Sequence, residues 1–247
     1  MPELGMIAYV FLSLFLGGLL KGVVGLGLPL VALPLLALAL PLKLAVATMV
    51  IPVFVTNGAQ IFQGKQFRPV LRRFGPTALV LILTIAVAVQ ALVVMPEDVL
   101  FMVVGIALIA MTIAMRFQPK LRIAPTQETW LGPLAGMLGG VMGGISAIYG
   151  PPLMLFLASL RLPKHEFVPA ISLLFLAGNT GLFIGLMSFG IAGGGDFLLS
   201  AAATIPCYLG LWLGQRVHAR LDERRFDAAR DFVYLASGAS FLLRALG

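Results

Sequence analysis

Acidic residues are scarce in this chain, and none falls where the chain is most apolar. Only ten of 247 residues are Asp or Glu, and all of them lie in loops or at the ends of apolar segments. That excludes a carboxylate proton relay at membrane depth, and with it a cation site built on acidic ligands. There is a single cysteine, Cys207. It excludes an internal disulfide and, set in an apolar run, reads as an inert buried thiol. The two histidines, His165 and His218, both sit in basic loops and read as solvated. No zinc-type Cys/His spacing, phosphate-binding loop or nucleophile paired with a base occurs. The chain therefore reads as a non-enzyme that needs no cofactor and no metal.

What is abundant is apolar. Hydrophobic residues make up 60% of the chain and charged residues 11%, and the mean hydropathy is +1.04. These values lie far outside the soluble globular range and predict an all-α integral membrane protein. The apolar runs lack the alternation of a membrane β-barrel. The first residues, Met-Pro-Glu-Leu-Gly-Met-Ile, lack the positive start of a cleavable signal peptide, so the first apolar stretch is expected to persist.

Ten apolar segments are expected, at about 4–24, 28–40, 43–62, 75–95, 99–115, 130–148, 151–160, 166–190, 197–215 and 231–246. The second and seventh are short for a span, which takes about 20 residues. They either cross tightly or re-enter. The net charge of +7 reports topology rather than nucleic-acid binding. Lys65, Arg68, Arg72 and Arg73 share one side with Arg116, Lys120, Arg122, Arg161 and Lys164. Arg216, Arg220, Arg224, Arg225 and Arg230 join them, making 14 of the 17 Lys and Arg residues. The opposite loops carry Glu3, Glu97, Asp98 and Asp196. By the positive-inside rule the basic loops are cytoplasmic and both termini lie outside a multi-pass cell-membrane protein.

A Gly/Pro-interrupted segment occurs twice. The first copy runs Gly17-Gly18-Leu-Leu-Lys21-Gly22-Val-Val-Gly25-Leu-Gly27-Leu-Pro29, and the second Gly139-Gly140-Val-Met-Gly143-Gly144-Ile-Ser146-Ala-Ile-Tyr149-Gly150-Pro151-Pro152. A shift of 122 residues superposes Gly17 on Gly139, Gly18 on Gly140, Gly22 on Gly144, Pro29 on Pro151 and Asn57 on Asn179. The chain thus divides into a first membrane repeat, 1–122, and a second, 123–247. With five segments apiece, an odd number, the repeats are expected to be inverted. Paired interruptions in inverted halves mark the binding site of a secondary transporter.

In these motifs the chain resembles the sulfite exporter TauE/SafE family, also called the four-TMS sulfonate uptake group, from about Met6 to Leu243. The resemblance implies transport of small sulfur-containing anions such as sulfite or sulfonates. The residues themselves fit an anion. Pro29 and Pro151 suit the first turn of a helix whose free N–H groups point back into the break, where Gly25, Gly27 and Gly150 let backbone approach a ligand. Close helix–helix packing is the other role open to such glycines. Asn57 and Asn179 are amides at membrane depth and need partners there. Gln60 shares a face with Asn57, as does Gln63 a further turn on, nearer the cytoplasmic rim. Thr180, Ser146 and Tyr149 each offer a hydroxyl. Lys21 is the one charge inside an apolar segment, either facing an anion or snorkelling to the surface.

The expected partners are a small anion and the lipid bilayer. Coupling falls to the substrate's own proton or the membrane potential, and homo-oligomerisation is left open. The rival readings are an anion channel and a membrane-embedded assembly factor without transport.

Overall fold

The computed structural model describes residues 4–24, 28–61, 67–117, 122–218 and 223–246, all of whose regular structure is helical. The helices are α1 (Leu4–Val24), α2 (Leu28–Leu36), α3 (Leu42–Thr48), α4 (Val50–Ile61), α5 (Phe67–Ala88) and α6 (Ala91–Val94). They continue with α7 (Glu97–Phe117), α8 (Pro125–Ser146), α9 (Gly150–Ser159), α10 (Lys164–Ser188), α11 (Gly194–His218) and α12 (Glu223–Leu246). Among the described residues five stretches are long and apolar enough to cross a membrane: Leu4–Val23, Leu42–Ile61, Phe67–Val94, His165–Ser188 and Gly194–Arg216. At about 1.5 Å rise per residue α2 and α9 reach only about 14 and 15 Å. That is half the roughly 30 Å hydrocarbon layer, so neither crosses it alone.

The chain forms two compact units, and each draws helices from both halves of the sequence. One comprises Met1–Pro52, Pro96–Ile109 and Gly190–Gly247; the other comprises Val53–Met95 and Ala110–Phe189.

In the first unit α1 packs on α11 with backbone against backbone. A Cβ placed on Gly18 or Gly22 would collide with the carbonyl oxygens of Cys207 or Leu211. One placed on Gly210 or Gly214 would collide with those of Phe15 or Leu19. Two small-xxx-small motifs, Gly18/Gly22 and Gly210/Gly214, thus interlock as membrane helices do in the absence of a hydrophobic drive between them. Gly17 faces the returning helix instead, with Ala32 Cβ 2.9 Å from where its own would stand.

Two prolines in this unit strand carbonyls, and two serines from other helices recover them. Pro52 has no N–H to offer Thr48, and helix is interrupted at Met49. The Ser200 hydroxyl of α11 donates to Thr48 O at 2.8 Å and accepts from Ile51 N at 3.0 Å. Within α2, Pro34 likewise leaves Leu30 O without its helical donor, and Ser237 of α12 donates to that oxygen at 2.5 Å. Arg244 donates to Ala37 O just past the end of α2. At the other end of this region Glu97 accepts from Leu42 N at 3.2 Å, supplying the cap that Pro41 cannot. In α7 and α12 Phe101 stacks on Phe241 with ring centres 5.7 Å apart.

In the second unit α5 is the axis. Gly132, Gly136, Gly140 and Gly144 form a ladder along α8 against Thr77, Leu81, Thr84, Ile85 and Ala88 of α5. Gly181 and Gly185 of α10 pack against Ile82 and Ala86 of the same α5 and against Val89 just past its end. Arg73 ties the starts of three helices together. Its Nε and Nη2 reach Glu128 at 2.6 and 2.9 Å, and its Nη1 reaches Glu166 at 3.2 Å.

Candidate functional site

Most of the residues singled out in the sequence fall in the second unit, four of them at the turn between α8 and α9. The glycine-rich end of α8 stops at Ser146. Ala147 then takes a left-handed conformation, φ 57°, and α9 starts at Gly150. The Ser146 hydroxyl donates to Met142 O at 2.8 Å and accepts from Ile148 N at 3.2 Å, so it stitches the turn. The whole turn is buried: Ser146, Ala147, Ile148 and Tyr149 are each 1–3% exposed. Pro151 and Pro152 are buried in the first turn of α9, where missing N–H groups cost nothing.

Tyr149 turns back across three glycines. Its ring lies 2.8 Å from where a Gly143 Cβ would stand and 3.1 Å from that of Gly178, while its carbonyl oxygen lies 3.1 Å from that of Gly139. The hydroxyl donates to Phe175 O at 3.1 Å, and the ring meets Phe175 edge to face with centres 5.3 Å apart. Gly150 also faces Phe175. Here the glycines make a slot for an aromatic ring, and the ring locks the turn onto α10.

The two asparagines belong to this unit as well. Asn57 and Asn179 are each 1% exposed. Asn57 Nδ2 donates to Val53 O at 2.8 Å. One turn before it, Phe54 meets Phe183, one turn after Asn179, edge to face at 6.4 Å. Residues three or four apart share a helix face, so the Asn57 face of α4 and the Asn179 face of α10 are brought together. Gln60 is half-buried near the end of α4. Thr180 is half-buried, and its hydroxyl donates to Leu176 O at 2.8 Å.

Lys21 and Pro29 lie in the first unit. Lys21 is 2% exposed on α1, within electrostatic reach of Cys207 on α11, so it does not snorkel into solvent. Pro29 is half-buried at the second position of α2. Gly25, Gly27 and Gln63 lie outside the described residues. Among the described residues no group of His, Cys, Asp or Glu is arranged to hold a metal ion.

Sequence reasoning did not reach Ser172. It is 1% exposed on α10, and its hydroxyl is the one buried side-chain polar atom among the described residues with no hydrogen-bond partner. The repeat does not point to it, since Val50 stands 122 positions earlier. Its seven-residue spacing from Asn179 was the available signal.

Residues 10–241 match the sulfite exporter TauE/SafE family. The match covers nearly the whole chain, and the chain belongs to that family of membrane transporters of sulfite or related anions. It matches no curated protein and no solved structure.

Proposed function

We propose that this family member is a secondary transporter of one small anion, sulfite or an organosulfonate, bound in the second unit by Asn57 and Asn179. The observation that carries this reading is the pair of fully buried amides on two helix faces joined through Phe54 and Phe183. An amide donates to an oxyanion without bringing a counter-charge into the membrane, where a full charge is costly. Gln60, on the same face of α4, extends the polar track. Ser146, Tyr149 and Thr180 give their protons to backbone carbonyls and shape the site, while Gly150 and Pro151 start the helix that faces the turn. In this reading Lys21, Gly25, Gly27 and Pro29 form the matching interruption of the first repeat.

The architecture in this reading is two inverted repeats, 1–122 and 123–247, with basic loops cytoplasmic and termini outside. Helix positions support the duplication. A shift of 122 residues carries α1 onto α8, α2 onto α9, α3 and α4 onto α10, α5 onto α11 and α7 onto α12. Equivalent glycines also do equivalent jobs. Gly17 and Gly139 face the returning helix, whereas Gly18 with Gly22 and Gly140 with Gly144 face α11 and α5. Coupling uses the substrate's proton or the membrane potential, consistent with the absence of acidic residues from the apolar segments.

The test is counterflow of labelled sulfite into proteoliposomes, with an Asn57→Ala/Asn179→Ala variant beside the parent. Saturable exchange in the parent and its loss in a folded variant is the expected result. A channel would conduct without exchange, and an assembly factor would show neither. Exchange that survives in the variant would remove the amides from the site.

A further inference from the structure

We infer that Ser172 is a third anion contact on α10, its hydroxyl donating to an oxygen of the bound substrate; this rests on the transporter reading above. The other hydroxyls for which a bond is described have clear employment. Those of Ser13, Thr48, Ser146, Ser159, Thr180 and Thr204 donate to the carbonyl four residues back in their own helix. Those of Ser200 and Ser237 donate across to another helix, to carbonyls that prolines have stranded. Ser172 does neither. It is 1% exposed, and its Oγ meets no donor or acceptor. A hydroxyl held without a partner in an apolar interior is unfavourable, and replacement by alanine would remove that penalty at no loss of packing shape. A polar atom retained at such a position is one reserved for a partner that comes and goes.

The phase of α10 says where that partner sits. At about 100° per residue Ser172 and Asn179 point within about 20° of each other, two turns apart. Gly181, which packs on α5, lies about 180° from Ser172 on the same wheel. Phe183, which meets Phe54 of α4, falls on the Ser172–Asn179 face. The orphaned hydroxyl therefore shares the buried face that bears the site amide and turns away from α5. Two turns are about 10.5 Å of rise, so two neutral donors on one face suit a small oxyanion's positions before and after a step along the helix.

Two measurements test this. In the first, Ser172→Ala is compared with the parent for thermal unfolding and for the KM of sulfite counterflow. The expected result is unchanged or raised thermal stability with KM increased at least about tenfold, the value of one hydrogen bond to a charged group. Lowered stability with an unaltered KM would mean a structural serine and overturn the inference. In the second, Ser172→Cys is built on Cys207→Ala, which leaves one thiol in the chain. It is treated in liposomes with 2-sulfonatoethyl methanethiosulfonate, with and without methanesulfonate. Labelling slowed by methanesulfonate places Ser172 at the anion; no labelling overturns the assignment. If the parent shows no sulfite exchange, the substrate reading fails by itself, and the labelling still decides whether an anion reaches Ser172.

Discussion

Replacing Ser200 by alanine should cost this protein about 2 kcal/mol of stability, more than one hydroxyl in a membrane helix usually contributes. Interhelical hydrogen bonds in membrane proteins average about 0.6 kcal/mol, because the separated helices find other partners. Ser200 serves two backbone groups at once. It donates to Thr48 O, which Pro52 cannot reach with an N–H, and accepts from Ile51 N beside the interruption at Met49. Ser200 and Thr48 are completely buried, so water does not replace the hydroxyl. A stranded buried donor or acceptor costs about 1–3 kcal/mol, and partial relaxation of the two groups toward each other brings the pair to about 2 kcal/mol. The assay is reversible unfolding in mixed detergent micelles, read by circular dichroism, for the parent, Ser200→Ala, Pro52→Ala and the double variant. Pro52→Ala restores the N–H that Thr48 O lacks, so the double variant should lose less than Ser200→Ala alone. That coupling is the signature of the argument. A Ser200→Ala loss below about 0.5 kcal/mol, or strict additivity with Pro52→Ala, would refute it.

Three further substitutions probe the glycine contacts. Gly214→Ala places a methyl group against the Leu19 carbonyl and 2.8 Å from Gly22 Cα, so α1 and α11 must separate. The variant is expected to lose its monodisperse peak in size-exclusion chromatography, whereas Gly58→Ala, with nothing within 4 Å, should keep it. Tyr149→Phe removes the bond to Phe175 O but keeps the ring in its glycine slot. It should lose about 1 kcal/mol in the same unfolding assay and retain sulfite exchange; abolished exchange with intact stability would make the hydroxyl a substrate contact instead.

Helix positions were legible wherever apolar runs ended at loops. Segments 4–24, 99–115, 151–160 and 166–190 lie within two residues of α1, α7, α9 and α10 at each end. The start of α5 was not legible in this way. It begins at Phe67, eight residues before the apolar run, because Arg68, Arg72 and Arg73 continue the helix in polar residues that hydropathy cannot follow. Nor was the division of segment 43–62 at Met49, although Pro52 was in view; a proline states that a carbonyl is stranded, not which serine recovers it. The paired glycines were legible as a pattern, and their work against α11 and α5 follows from a partner choice that spacing does not encode. Asn57 and Asn179 stood out because amides are rare in such runs. Ser172 did not, since a serine in an apolar helix usually bonds to its own backbone, and only the folded structure reveals that this one does not.

The pairing of α1 with α11 also sets a clock for biosynthesis. About 170 residues separate the end of α1 from the start of α11, which at 5–20 residues per second is about 10–30 s of elongation. Throughout that interval the Gly18/Gly22 face of α1 has no permanent mate. The helices of the second unit, by contrast, are all in place once Phe189 has been made. The nascent protein must therefore hold an early helix unclaimed until α11 emerges. A ribosome stalled near residue 190 would leave a finished second unit and α1–α3 still awaiting their partner, the species on which membrane quality control would act.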